Sequence, residues 1–406
     1  MCALNRIFSE VRAVAVILVA MMFVQGCATA PPRANPLPEE LAYTAEIPGI
    51  PLARSYADEG PEYVRKWIES MSDEEIRVRY AGIVDREHNF LAISGGGQNG
   101  AFGAGLLYGW SESGTRPEFT MVTGISTGGL IAPFAFLGPE YDETLKEIYT
   151  SYTTSDLLAE RSLLNIIRND AAADSAPLRA RIAEHVDEAM MKAIAVEHGK
   201  GRALFIGTTN LDAARPVMWN IGRIASANTA EALELIRDVM LASASIPGAF
   251  PPVSFDVEAN GQQYEELHVD GGMTSQVFLY PLGIDFRRIE ERLNAQGTPN
   301  LFVIRNASLY PDWETTDRKL APIVGRTISS LIRTQGYGDL QRMYIGSIRD
   351  GLHFNLASIP EDFELQPQEP FDREYMNALF ERGRAMSVRG YPWVEDPYHL
   401  EVESRK

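Results

Sequence analysis

Short apolar runs that end at glycine recur in the first half of the chain. Residues 90–93 lead into Gly95-Gly96-Gly97, and residues 121–123 lead into Gly124. Each run is followed by small and apolar residues suited to a buried helix, over 100–110 and 127–136. Short apolar runs bounded by turn residues indicate buried strands, and strands that alternate with helices predict βαβ units and a parallel sheet.

The same criteria predict further elements downstream. Probable strands are residues 204–206, 217–219, 265–269 and 301–304, and probable helices are residues 61–80, 176–198, 230–242, 322–344 and 373–387. No internal repeat is visible. The sequence therefore predicts an α/β catalytic domain over residues 61–310, followed by a helical C-terminal extension over residues 311–406 that packs on the core.

The N-terminus has the pattern of an export signal. Arg6 and Arg12 precede an unbroken apolar run over residues 13–24. Twelve apolar residues are too few to span a bilayer but suit the apolar region of a signal peptide. Ordinary cleavage after the Ala-Thr-Ala of residues 28–30 is one interpretation.

Residues 24–27, Val-Gln-Gly-Cys, favour a second interpretation because they resemble the lipobox of bacterial lipoproteins. This resemblance implies that residues 1–26 are removed and that Cys27 is acylated. Ala28, rather than an aspartate, then favours the outer membrane, facing the periplasm. The proline-rich residues 27–60 are expected to form an extended tether.

The charge of the chain restricts its partners. The formal net charge of the 406 residues is −18, and no Lys/Arg run stands out. Nucleic-acid binding is therefore not expected, because it relies on a basic surface that displaces counterions. The same acidity opposes electrostatic attraction to anionic lipids, so membrane attachment would need another device, such as a lipid anchor. No calcium loop and no zinc-type Cys/His cluster is present, and neither a metal nor a cofactor is expected.

Residues 124–128, Gly-Ile-Ser-Thr-Gly, match the G-x-S-x-G pattern between a predicted strand and a predicted helix. The serine of this motif sits on a sharp strand-to-helix turn, where flanking glycines relieve crowding. The helix N-terminus favours developing negative charge beside the hydroxyl. Ser126 is the candidate nucleophile, with Gly124 and Gly128 as supporting residues.

The glycine loop at residues 95–97 also joins a strand to a helix. A phosphate-binding loop is one interpretation, but the lysine of a P-loop and the spacing of a dinucleotide fingerprint are both missing. An oxyanion hole formed by Gly95, Gly96 and Gly97 is the better interpretation.

A third element, Asp270-Gly271-Gly272, follows a predicted strand and could be a plain glycine turn. Taken in order, however, the glycine loop, the serine motif and this segment resemble the patatin-like phospholipase family. Residues 242–252, Ala-Ser-Ala-Ser-Ile-Pro-Gly-Ala-Phe-Pro-Pro, resemble a further family segment. The resemblance covers about residues 89–305. It implies a three-layer α/β/α fold and hydrolysis of lipid acyl esters by a Ser126–Asp270 dyad.

One position departs from the family pattern. The family's glycine loop usually has a basic residue where this chain has Asn99. The loop amides are unaffected by this change, but help from a cation in orienting a phosphate headgroup is lost. Esterase activity is therefore better supported than phospholipid specificity.

Two other hypotheses remain. A Ser–His–Asp esterase of the α/β-hydrolase type would need a histidine, for which His268, His353 and His399 are candidates. A catalytically inert lipid-binding lipoprotein would need neither Ser126 nor Asp270. For the dyad, an apolar site is expected to raise the pKa of Asp270 by desolvation, because an ordinary aspartate is too acidic to accept a serine proton at neutral pH.

Overall fold

The computed structural model describes residues 33–60, 66, 70–160, 171–281, 283–310 and 313–398. The strands in this part of the chain are β1 (Arg54–Tyr56), β2 (Asn89–Ile93), β3 (Met121–Ile125), β4 (Ala159–Glu160), β5 (Ala173–Asp174), β6 (Ala203–Asn210), β7 (Arg215–Asn220), β8 (Val253–Ala259), β9 (Gln262–Asp270), β10 (Asn300–Ser308) and β11 (His353–Ile359).

The helices are α1 (Asp73–Arg79), α2 (Gly100–Glu112), α3 (Thr127–Leu137), α4 (Asp142–Ser151), α5 (Thr154–Leu157), α6 (Ala176–His185), α7 (Glu188–Gly199), α8 (Ile221–Ser226), α9 (Ala230–Ser243), α10 (Phe286–Arg292), α11 (Leu320–Asp350) and α12 (Arg373–Ser387). Short 3-10 turns at Gly97–Asn99 and Gly271–Met273 follow two of the strands.

The centre of the fold is a mostly parallel sheet. Its strands lie in the order β1-β7-β6-β3-β2-β10-β11, and the pairs from β6 to β11 are all parallel. Antiparallel β7 and β1 extend one edge, and β9 with β8 pairs with the end of β6. The carboxyl ends of β2, β3 and β10 therefore lie side by side, and this is where ligands bind in open α/β sheets.

Strand β2 shows how the sheet separates two apolar layers. Leu91 and Ile93 belong to one buried cluster, with side chains from α2, α3 and α12. Phe90 and Ala92 belong to the other, with side chains from α10 and α11. Successive side chains of a strand point to opposite faces, so the sheet is covered on both sides. The predicted α/β fold with C-terminal helices is confirmed.

Residues 33–60 do not form an extended tether, and that prediction is wrong for them. β1 pairs with β7, and the amide of Glu46 exchanges backbone hydrogen bonds with Glu258 on β8. Ala53 is fully buried, and Arg54 forms a buried ion pair with Glu266 at 2.8 Å. The segment is rich in proline, which predicted a tether, but a few of its apolar residues pack on the edge of the sheet. Residues 27–32 lie outside the described part.

Two helical predictions are changed in detail. The helix predicted over 176–198 is two helices, since Asp187 begins α7 by accepting a hydrogen bond from the Met190 amide. Of the helix predicted over 61–80, the structure describes α1, which begins with a capping box between Ser72 and Glu75. Most of residues 61–69 lie outside the described residues.

The segment after residue 310 completes the sheet as well as adding helices. β11 pairs in parallel with β10 over its whole length, from His353 beside Asn300. α12 packs on α2 in the larger apolar cluster. None of the helices among the described residues is both long and apolar enough to cross a membrane.

Candidate active site

Ser126 sits alone between a strand and a helix. β3 ends at Ile125, α3 begins at Thr127, and Ser126 has φ 55° and ψ −126°. This left-handed conformation is strained for a residue with a side chain, and such strain concentrates at functional sites. A Cβ on Gly124 would collide with the carbonyl of Gly128, so only glycine fits beside the turn.

Asp270 reaches Ser126 from the far part of the sequence. β9 pairs with β6 so that Asp270 lies opposite Thr208, at the carboxyl end of the sheet. The Ser126 hydroxyl donates to Asp270 Oδ2 at 2.6 Å, and the Gly272 amide donates to Oδ1 at 2.7 Å. Both side chains are buried, at 6% and 5% exposure. The structure therefore joins the two predicted residues in one hydrogen-bonded pair.

The surroundings of Asp270 make its carboxylate more basic than an exposed one. Burial raises the pKa of Asp270 to about 6, although the hydrogen bonds from Ser126 and Gly272 act in the opposite direction. Desolvation disfavours the charged form and is the larger effect. A carboxylate of this pKa is ionised at neutral pH and matched to accepting a proton.

Residues 242–252 position both partners. The Ser126 amide donates to Ser243 Oγ at 2.9 Å, and that hydroxyl donates to the Gly207 carbonyl at 2.7 Å. The Asp270 amide donates to the Ser245 carbonyl at 2.9 Å. The family segment noticed in the sequence thus ties the nucleophile turn and the aspartate to the same helix end.

Replacing Ser243 by alanine is expected to lower the free energy of unfolding by about 1–3 kcal/mol, because two buried backbone groups lose their partner. We expect kcat/KM for an ester to fall about tenfold, since the turn at Ser126 loosens. Ser245→Ala is the matched control, because the Ser245 hydroxyl donates only within its own helix end, to the Leu241 carbonyl. Denaturant unfolding and ester kinetics measure both effects; equal behaviour of the two variants would contradict the assignment.

The glycine loop offers two amides rather than three. The Gly95 amide donates to the Gln276 carbonyl at 3.0 Å, so the prediction that it binds an oxyanion is wrong in this arrangement. The amides of Gly96 and Gly97 donate to no other residue in the described part of the chain. Gly97 lines a cavity together with Ser126. At Gly95 a Cβ would lie 3.2 Å from the Ser126 Cβ, so glycine there keeps the approach open.

Asn306 holds the glycine loop and was not found from the sequence. It lies in the second half of β10. Its backbone amide donates to Ser94 Oγ and its side-chain Nδ2 donates to the Ser94 carbonyl, both at 2.9 Å. Its Oδ1 accepts from the Gly103 amide at 3.1 Å. A Cβ on Gly96 would collide with the Asn306 carbonyl, which explains the glycine there.

Asn99, at the family's basic position, is tied to the C-terminal helix. Its Oδ1 accepts from the Tyr375 hydroxyl at 2.8 Å, and the neighbouring Gln98 Oε1 accepts from the Asp372 amide at 3.1 Å. One contact is to α12 and the other is to Asp372, the residue that caps the N-terminus of α12. The departure from the family pattern therefore replaces a cation with a structural contact.

An apolar cavity of about 90 Å³ opens beside Ser126. Its polar lining includes Arg181 and His185, and the His185 ring contacts the Tyr152 hydroxyl at 2.5 Å. The apolar part of the lining includes Leu130, Phe134, Leu157, Leu178, Ile182, Met240, Phe250 and Met376. A pocket of this composition suits a hydrocarbon chain attached to an ester at Ser126.

The histidines proposed for a triad lie elsewhere. His268 is fully buried, with Nδ1 beside Thr208 Oγ1 at 2.8 Å and Nε2 beside Glu266 Oε2 at 3.2 Å, and burial lowers its pKa. His353 begins the edge strand β11 and lies at the amino end of the parallel strands, whereas Ser126 follows the carboxyl end of the central strand β3. His399 lies outside the described residues. Within the described chain, no histidine nitrogen hydrogen-bonds to Ser126 or Asp270.

Comparison with known proteins agrees with this geometry. The family model of the patatin-like phospholipases matches residues 91–282, which contain the glycine loop, Ser126 and Asp270. Among solved structures, the crystal structure of VipD from Legionella pneumophila is similar, with 13% sequence identity, a TM-score of 0.34, and coverage of 75% of this chain and 67% of that chain. No curated protein matches the chain. Residues 91–282 of this chain are therefore a domain of the patatin-like phospholipase family.

Proposed function

We propose that this protein hydrolyses acyl esters of lipids through an acyl-serine on Ser126, with Asp270 as the general base. The observation that carries the proposal is the 2.6 Å hydrogen bond from the Ser126 hydroxyl to a buried carboxylate of raised pKa. A serine and a base within hydrogen-bond reach are what an activated nucleophile requires. The family membership supports action on lipids in general.

The reaction follows in two halves. Ser126 Oγ attacks the ester carbonyl carbon while Asp270 takes the hydroxyl proton, and the tetrahedral intermediate collapses when Asp270 returns that proton to the departing alcohol. Water then attacks the acyl-serine while Asp270 takes its proton, and Asp270 returns that proton to Ser126 Oγ as the bond from Oγ to the acyl carbon breaks and the fatty acid leaves. The free amides of Gly96 and Gly97 stabilise the oxyanion in both halves, each by about 2.7–4 kcal/mol.

The cavity beside Ser126 supports the assignment of the substrate class. We assign it to the acyl chain, because its walls are mostly apolar side chains and Ser126 is one of the lining residues. Burial of each CH₂ there stabilises the bound chain by about 0.8 kcal/mol. Phospholipids, lysophospholipids and neutral esters share this acyl group, and the contact of Asn99 with Tyr375 leaves no cation at the family's basic position to select phosphate.

Hydrolysis of a p-nitrophenyl ester and of a phospholipid by the purified protein tests the proposal. Turnover of either substrate by the parent, and its loss in Ser126→Ala, is the expected result. A parent protein that binds lipid but cleaves neither substrate would instead support the inert lipid-binding hypothesis.

The pH dependence gives a second prediction. Ester hydrolysis at low substrate concentration is expected to fall about tenfold per pH unit below pH 6, because kcat/KM follows the ionised fraction of the base in the free enzyme. Since burial raises the pKa of Asp270 to about 6, the loss begins near that pH rather than near 4. A kcat/KM profile that stays flat down to about pH 4.5 would show that another base acts.

We further propose that Cys27 carries a lipid anchor that holds the protein in the bacterial cell envelope, at the outer membrane and facing the periplasm. Residues 1–32 lie outside the described part, so the support for this proposal is the lipobox-like sequence of residues 24–27. In a bacterial host, Cys27→Ser is expected to move the protein from the membrane fraction to the soluble fraction. A mature N-terminus found by mass spectrometry at residue 31 would instead show ordinary signal cleavage.

A further inference from the structure

The first half of α11 exposes a row of large apolar side chains. Within the 31-residue helix, Leu320 is 81% exposed, Ile328 52% and Leu331 65%. The second half is anchored, with Leu340 and Met343 buried against the sheet. Residues 320–334, here called the arm, extend about 22 Å at 1.5 Å per residue.

Four of the six large exposed apolar residues of the arm share one side of it, and the other two, Ile323 and Ile332, lie at the margins of that side. At about 100° per residue, Leu320, Val324, Ile328 and Leu331 lie on the same face. Arg326, Ser329 and Arg333 lie on the opposite face. Single exposed apolar residues are common, but a continuous row along an amphipathic helix marks an interaction surface.

The arm, together with the two residues before it, is basic in an acidic protein. Between residues 318 and 338 the chain has Arg318, Lys319, Arg326 and Arg333 and no acidic residue, while its total formal charge is −18. Lys319 lies 3.7 Å from Asp317, and Arg326 lies 3.5 Å from Glu314, so two counter-charges sit just before the arm. An apolar face backed by Arg and Lys is the composition of helices that lie in the interface of an anionic bilayer.

The C-terminal end of the arm lies beside the candidate active site. Gln335, in the next turn of α11, accepts at Oε1 from Gln276 Nε2 at 3.2 Å, and its side-chain Nε2 donates to the Met273 carbonyl at 3.5 Å. Gln276 Nε2 also donates to the Gly272 carbonyl at 2.7 Å. These contacts attach the base of the arm to the loop that follows Asp270, and Met273 on that loop is 54% exposed.

We propose that the arm docks on a lipid surface that contains anionic lipid, with Leu320, Val324, Ile328 and Leu331 inserted at the headgroup boundary. Docking would bring the loop after Asp270 against the bilayer that supplies the ester substrate. The proposal rests on the proposed function for the identity of that substrate, but the docking itself is a separate property. The basic residues of this segment complement anionic headgroups, and this charge complementarity favours a lipid surface over a second copy of the chain as the occupant.

A local probe tests the docking without interference from other membrane attachments. In the full chain with Cys2→Ser and Cys27→Ser, a cysteine introduced by Leu331→Cys carries an environment-sensitive fluorophore. Arg333→Cys places the same probe on the opposite face and is the matched control. With vesicles that contain phosphatidylglycerol, we expect a blue shift and quenching by a lipid-borne quencher for the probe at 331, and water-like emission at 333.

Activity on two substrates separates this proposal from the proposed function. Leu331→Asp is expected to lower hydrolysis of vesicle phospholipid about tenfold, since one buried leucine is lost from the interface, and to leave hydrolysis of a soluble short-chain ester unchanged. Arg333→Gln is expected to weaken binding to anionic vesicles about fivefold and not to change binding to neutral ones.

The outcomes are distinguishable. A water-like probe at 331 on anionic vesicles would overturn the docking even if the soluble ester is hydrolysed. The same blue shift in the absence of vesicles, increasing with protein concentration, would assign the face to a second copy and would also overturn it. Docking without hydrolysis of either ester would leave the lipid surface in place and reject the proposed function.

Discussion

Asp270→Asn is expected to lower kcat/KM for ester hydrolysis by about 10⁴-fold or more, the size of loss seen when a nucleophile loses its base. The amide nitrogen or oxygen can still contact the Ser126 hydroxyl, so the geometry persists, but it cannot accept the proton. Steady-state hydrolysis of a p-nitrophenyl ester measures the effect. Asp256→Asn, at an exposed carboxylate on β8, is the control and should keep the parent rate.

The same variant is expected to be more stable than the parent above pH 6. Asp270 has a pKa of about 6 in the folded chain against a reference value of 3.8, so the folded state favours the protonated carboxyl. Ionisation therefore destabilises the parent by about 3 kcal/mol, a penalty that is absent below pH 3.8, grows as the pH rises, and is complete above 6.

Asparagine does not ionise and avoids this penalty. Denaturant unfolding at pH 8 and at pH 4 should show a stability gain that is present at the first pH and nearly absent at the second. If the variant were both inactive and unfolded, the loss of folding would explain its inactivity, and a catalytic role of Asp270 would lose its support. A folded, stabilised and inactive variant is the predicted combination.

Gly128→Ala is expected to abolish activity and to lower the free energy of unfolding by more than about 3 kcal/mol, because the added methyl group meets backbone that cannot move freely. Its Cβ would collide with the Ile93 carbonyl and lie 2.7 Å from the Ser94 carbonyl. These atoms join β2 to the glycine loop. Relief of the clash would therefore separate the oxyanion amides from Ser126.

Gly199→Ala is the matched control for this substitution. Gly199 ends α7, and a Cβ there would meet no atom within 4 Å. Thermal unfolding and ester kinetics should leave this variant close to the parent. If Gly128→Ala kept the parent rate and stability, the close approach of the nucleophile turn to the glycine loop would have to be abandoned.

The central strands were predictable because they are continuous apolar runs. Both faces of the sheet are covered at β2, β3, β6 and β10, and strands that are buried on both faces consist mostly of apolar residues. β8 was missed because it alternates, with Phe255 and Val257 buried between exposed residues. β11 was missed because polar Asn355 interrupts its apolar pattern.

The residues that react could be predicted from the sequence, whereas the residues that hold them in position could not. The G-x-S-x-G motif and the D-G-G segment identify Ser126 and Asp270 from the local sequence, because the backbone geometry at each position requires the neighbouring glycines. The partners that hold them come from distant chain positions. Asn306 contacts Ser94 across 212 residues, and the Gln276 carbonyl takes the Gly95 amide. Such contacts depend on the order of the strands in the sheet, and the local sequence pattern does not predict that order.

The measurement that tests the central claim most directly is labelling of the purified protein by a fluorophosphonate, followed by peptide mass spectrometry. An activated serine reacts covalently with this reagent, whereas an ordinary hydroxyl does not. The account predicts a single adduct on the peptide that contains Ser126, formed in the parent and lost in both Ser126→Ala and Asp270→Asn. An unlabelled parent, or an adduct on another serine, would contradict it.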